Sequence, residues 1–156
     1  MNTGAPVGDQ ERFVDPSTSP GPITVVVFND HPVFRTSLPW KIDAGSNLQV
    51  IADVPSRHET VKLINELSPS VVVAELRIGD GNSEGIESIF ELAAHAKTLP
   101  IVVTSEHGSK SFLAQLVGAG ATAVVQKSAG TRALVDAILN SVAAARSSKQ
   151  SDTSAA

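Results

Sequence analysis

Val71-Val72-Val73-Ala74-Glu75-Leu76-Arg77 is the stretch that decides how this chain folds. Three β-branched residues in succession suit a strand covered on both faces, as in a parallel sheet. The chain leaves the sheet at Glu75, and Arg77-Ile78-Gly79-Asp80-Gly81-Asn82-Ser83 reads as a turn-rich loop. In open α/β sheets, ligands and chemistry collect at the carboxyl ends of the strands. Glu75 therefore stands where a functional group belongs.

Upstream of this stretch, Ile23 to Phe28 forms a first strand that ends at Asn29-Asp30-His31-Pro32. Pro32 suits the first turn of a helix, with Asp30 or His31 near its N-cap. That helix carries Val33, Phe34, Leu38 and Ile42, and Pro39 inside it predicts a kink or a break before Trp40. Leu48 to Ala52 is the second strand. Ser56 followed by Glu59 is a capping-box pattern, opening a helix striped by Thr60, Leu63, Ile64 and Leu67.

Downstream, Ile86, Ile89, Phe90 and Ala93 form a helical stripe after Gly85. Ile101-Val102-Val103 is a fourth strand ending at Thr104-Ser105. Phe112, Leu113, Leu116 and Val117 stripe the next helix, closed by Gly118 and Gly120. Ala123 to Gln126 is a fifth strand ending at Lys127. Thr131 caps a last helix with Leu134, Val135, Ile138 and Val142 inward. Strict alternation of five strands and helices implies right-handed crossovers and a parallel, doubly wound α/β sheet, with five units fitting the order 2-1-3-4-5.

Length and composition exclude several classes. The 156 residues suit one domain with a real core. The net charge of -4 and the lack of a Lys/Arg run leave no nucleic-acid footprint on this domain. Without cysteine, neither disulfides nor thiolate chemistry are available. No apolar run approaches the roughly 20 residues of a membrane span, and no basic n-region precedes an apolar core. A cytoplasmic location is expected, with no membrane contact. Residues 1–22 lack periodicity and read as a disordered leader, in which Phe13 and Val14 are the only bulky apolar pair. Residues 23–145 form the domain, and 146–156 read as a flexible tail or linker.

The strand order gathers the residues after each strand. Asn29 and Asp30 follow the first, Glu75 the third, Thr104 and Ser105 the fourth, and Lys127 the fifth. Acids, a hydroxyl and an ammonium thus surround one crevice. The acids Asp30 and Glu75 are of the type that holds a hard divalent cation through oxygen.

These segments resemble the receiver domain of bacterial two-component response regulators, of the NarL/FixJ (LuxR-type) kind. Asn29 to Arg35 is similar to that group's Asp-Asp-His-Pro-Leu-Phe-Arg, and Val71 to Arg77 to its Val-Val-Leu-Leu-Asp-Leu-Arg. Thr104-Ser105 resembles the Thr-Ser after strand four, and Val125-Gln126-Lys127-Ser128 the lysine segment. The resemblance spans about Ile23 to Ala145. It implies a flavodoxin-like (βα)5 fold and a signalling role rather than an enzyme.

Carried over residue by residue, the resemblance puts Glu75 at the phosphoacceptor, an aspartate in the family. Asp30 takes a magnesium-binding position, and Asn29 one where a second acid is usual. Thr104 and Lys127 take the phosphoryl-contact positions, and Val124 that of an aromatic switch residue. The loop from Glu75 to Gly85 is two residues longer than usual and has Gly79 where proline is customary. Glutamate adds a methylene, and a misplacement of about 1 Å can cost about 10²-fold in rate. The expectation is a degenerate receiver, working through protein partners and as a homodimer, in transcriptional control. Two alternatives stand beside it. One is the receiver part of a longer DNA-binding regulator, still phosphorylated or metal-regulated, whose effector domain lies elsewhere. The other is a small flavodoxin-like enzyme or flavin carrier, which lacks a nucleophile–base pair and a Gly-rich phosphate loop here.

Overall fold

β1 (Ile23–Asn29), β2 (Leu48–Val54), β3 (Val71–Leu76), β4 (Ile101–Ser105) and β5 (Ala123–Gln126) pair in parallel in the order β2-β1-β3-β4-β5. This is the flavodoxin-like arrangement that the alternation of strands and helices implies. The computed structural model describes residues 21–29, 47–76, 83–106 and 108–155. The leader before Gly21, the helix expected after Asp30 with its Pro39 kink and Trp40, the loop at 77–82 and His107 lie outside them.

Four helices join the described strands: α1 (Arg57–Leu67), α2 (Ser83–His95), α3 (Lys110–Ala119) and α4 (Thr131–Ala155). Side chains alternate across a strand, so each strand feeds two layers. Val25, Val27, Val71, Val73 and Val102 pack with Leu134, Ile138 and Val142 of α4 on one face. Val26, Phe28, Val72, Ala74 and Val103 pack with Ile64, Ile89, Leu92 and Leu116 of α1, α2 and α3 on the other. Each buried Val, Leu, Ile or Phe among them contributes roughly 1.5–3 kcal/mol relative to exposure.

The caps follow local chemistry. Ser56 accepts a hydrogen bond from the Glu59 amide at 3.1 Å, as its capping-box position predicts. Ser109 does the same for Phe112 at the start of α3. Gly120 closes α3 at φ 124°, a conformation that other residues avoid.

Several details differ from the sequence reading. β3 does not stop before Glu75 but carries it as a paired residue through to Leu76. Phe90 and Val117, expected inward, are 64% and 55% exposed. Ile89 and Leu116, members of the same expected stripes, do fill the core, together with Leu92, because the buried stripe of each helix is narrower than the run of apolar residues. Leu67, the last residue of its stripe, is exposed at the end of α1. Gly118 lies within α3, and Thr131 is the first helical residue of α4 rather than its cap. α4 runs to Ala155, through the residues read from the sequence as a flexible tail or linker.

Candidate functional site

Asn29, Glu75, Thr104 and Val125 are consecutive partners across four strands. In-register residues of parallel strands share a face. These four lie on the face of Val27, Val73 and Val102, the side that α4 covers, at the carboxyl edge. Asn29, Glu75 and Thr104 are buried, at 1%, 7% and 3% exposure. A row of polar groups thus closes an otherwise apolar layer.

Lys127 is two residues beyond Val125, so it continues on the same face. It opens a single 3₁₀ turn, Lys127–Ala129, that Gly130 closes by donating its amide to the Lys127 carbonyl at 3.1 Å. Gly130 takes φ 94° there, which lets the chain turn directly into α4. The turn brings the Lys127 Nζ to Glu75, where it donates a hydrogen bond to Oε1 at 2.7 Å. The Glu75 side chain is 9% exposed and that of Lys127 35%. This is a short, charge-assisted bond in which the carboxylate is sheltered and the ammonium reaches water.

Two further features shape the electrostatics. Glu106, directly after β4, lies 3.9 Å from the same Nζ and is 55% exposed. An exposed pair of that kind contributes about 0–1 kcal/mol. The second oxygen of Glu75, Oε2, is buried and has no hydrogen-bond partner among the described residues. An acceptor in that situation costs roughly 1–3 kcal/mol.

The structure therefore gathers Asn29, Glu75, Thr104 and Lys127 at one edge. The hydrogen bond of Glu75 goes to the ammonium of Lys127, with Thr104 as its row neighbour. Val124 lies on the opposite face, half-buried in register with Val103 and packed against the α1–α3 layer. Asp30 lies outside the described residues. Sequence reading did not single out Glu106, although it follows Thr104-Ser105 and its position after β4 was the available signal.

A divalent cation fits the described donors poorly. Among the described residues, no three His, Cys, Asp or Glu side chains come together as metal ligands. The buried Oε2 is one candidate oxygen. Its neighbour in the row is the amide of Asn29, and its other oxygen is held by Lys127. Magnesium binding calls for near-octahedral oxygen coordination, usually with one or two carboxylates free to serve it. Among the described helices, none is long and apolar enough to cross a membrane.

The family model described as the response regulator receiver domain matches residues 25–139. The chain belongs to that family, the receivers of two-component systems. It is 30% identical over 117 residues to the response regulator GacA of Pseudomonas aeruginosa, covering 74% of this chain and 53% of GacA. The chain spans about half the length of the curated relatives it matches. A LuxR-family two-component response regulator from Aurantimonas sp. SI85-9A1 superposes with a TM-score of 0.68 at 26% identity, over 78% of this chain and 85% of that one. The signal receiver domain of the putative response regulator NarL from Mycobacterium tuberculosis gives 0.67 at 20% identity, over 79% and 98%. Its likeness concerns the fold.

Proposed function

We propose that this chain is an atypical receiver that signals through protein contacts without accepting a phosphoryl group. The observation that carries this reading is the 2.7 Å bond from Lys127 to a nine-tenths buried Glu75. A phosphorylated receiver presents extra negative charge to its lysine. Here a carboxylate one methylene longer than aspartate supplies charge to that ammonium permanently. Asn29 removes a second acid from the row, which weakens the attraction for a divalent ion. Val124 offers no aromatic ring to change rotamer. The site is then held in one state, and its output is read by a partner at the protein surface. Transcriptional control, a cytoplasmic location and homodimerisation complete the proposal, in keeping with the regulators that the chain resembles.

A second reading rests on a specific observation. Glu75 Oε2 is an open, buried acceptor, which leaves one side of the carboxylate available to a metal or a phosphodonor. The chain would then be the receiver portion of a longer DNA-binding regulator, still governed by phosphorylation. Incubation with acetyl phosphate and Mg²⁺, followed by intact mass and peptide mapping, separates the two. The proposal expects no adduct on Glu75; a stoichiometric phosphoryl adduct at that residue overturns it.

A further inference from the structure

Phe90, in the second half of α2, is the most exposed large apolar side chain among the described residues, at 64%. It does not stand alone. Ile86, Phe90 and Ala93 form one row of the helix, spaced four and three residues apart. The end of that row meets the end of α3, because a Cβ added at Gly120 would collide with the Cβ of Ala93. The row therefore runs along the seam between the two helices. Ile86 and Ala93 are half-buried there, and Phe112 and Ala119 of α3 are half-buried against the same core layer. The crossovers of a parallel sheet all run back in the same direction, so α2 and α3 lie side by side, about 8–10 Å apart. Between them lies a shallow furrow with a phenylalanine on its lip.

The charge beside the furrow is mostly of one sign. Glu84, Glu87 and Glu91 are exposed on α2, which carries no lysine or arginine. Glu87 is three residues before Phe90, so the two side chains are neighbours on the helix surface. Glu91 accepts from Arg57 of α1 at 2.9 Å, whereas Glu84 and Glu87 enter no ion pair among the described residues. Lys110, the first residue of α3, is the only cation of that helix. A second copy of the chain fits poorly here. A two-fold contact centred on Phe90 would set the same glutamates against each other. An exposed aromatic beside unpaired acids suits a partner that brings an apolar side chain flanked by cations. A groove between two aligned helices takes a third helix.

We infer that the furrow between α2 and α3 is a docking surface for a basic amphipathic helix of a partner protein. An apolar side chain of that helix packs on Phe90, and its lysines or arginines face Glu84 and Glu87. α2 is the next described element after β3, the strand that carries Glu75, so the surface starts at the edge of the sheet where the ion pair sits. It gives the proposed signalling by protein contact a location, and its assignment rests on that reading.

The probe is a helical peptide of about 15 residues with leucines on one face and lysines on the other. Titrated into the isotope-labelled full chain at physiological salt, it should shift amide signals of residues 84–95 and 111–119 saturably. Phe90→Ser should weaken binding at least about tenfold, because it removes the anchor that the peptide buries. Glu87→Lys should weaken it several-fold through like charge. Leu139→Ser, which removes an exposed apolar side chain from α4 on the other side of the sheet, should leave binding unchanged. The same peptide with glutamate in place of lysine should not bind. Absence of binding, shifts scattered over every acidic surface, insensitivity to Phe90→Ser, or equal binding of the glutamate peptide each overturn the assignment. A dimer in sedimentation that Phe90→Ser dissociates would also overturn it, by giving the face to a second copy. Mass measurement of Glu75 after acetyl phosphate treatment is independent of Phe90, so the docking surface and the phosphate-independent reading can fail separately.

Discussion

The two ends of the same sheet are closed by different chemistry. At the amino end, neutral hydroxyls fasten neighbouring segments. Thr24 and Ser70 exchange amide-to-hydroxyl bonds, and Thr122 Oγ1 accepts from the Ile101 amide at 3.0 Å while its own amide donates to the Ile101 carbonyl at 2.7 Å. At the carboxyl end, an ammonium and a buried carboxylate meet, and one carboxylate oxygen is left without a partner among the described residues. Neutral, reciprocal bonds fix strand starts with little desolvation cost. A buried charge is expensive to hold, because its desolvation offsets much of the attraction of its partner. The comparison sets neutral hydroxyl clasps at one end against a buried ion pair at the other.

The largest expected effect falls on the charged end. Lys127→Met leaves Glu75 buried without its counter-ion. Breaking a buried pair costs about 3–5 kcal/mol, which the partial exposure of Lys127 reduces to about 2–4 kcal/mol. Urea unfolding measures it. Replacing both partners, Glu75→Leu with Lys127→Met, should recover most of that loss. A double variant as unstable as Lys127→Met alone would mean that the pair is not what the site turns on.

At the amino end, Gly120→Ala should cost about 1–3 kcal/mol through its positive φ alone. The added Cβ also meets the Cβ of Ala93 on α2, so Ala93→Gly in the same chain should return part of the stability. Thermal unfolding of the single and double variants measures both contributions. Ser70→Ala comes last, at about 1–2 kcal/mol, since it leaves the Thr24 amide without its hydroxyl acceptor. It should leave the spectrum around Lys127 unchanged. A Ser70→Ala loss matching that of Lys127→Met would erase the distinction between the two ends.

Much of this was legible in the sequence because periodicity reports directly on burial. Val71 to Ala74 and Ile101 to Val103 are apolar without interruption, and both are strands covered on two faces. The placement of Glu75, Thr104 and Lys127 followed from topology, since each comes at the end of a strand. Registry was harder to read. That Glu75 is itself a paired strand residue beside Asn29 and Thr104 depends on how three strands slide past each other. The Thr24–Ser70 clasp joins residues 46 apart and leaves no local pattern. Phe90 and Val117 misled because an apolar residue at the margin of a helical stripe has the right spacing whether it turns inward or outward.

The central claim is that the charged end is already closed. Amide NMR of the full chain, recorded before and after addition of BeF3⁻ with Mg²⁺, addresses it most directly. The account predicts that signals from residues 104–106 and 127–130 stay where they are. A second, saturable set of signals for those residues would show a site that still answers to a phosphoryl mimic, and would contradict it.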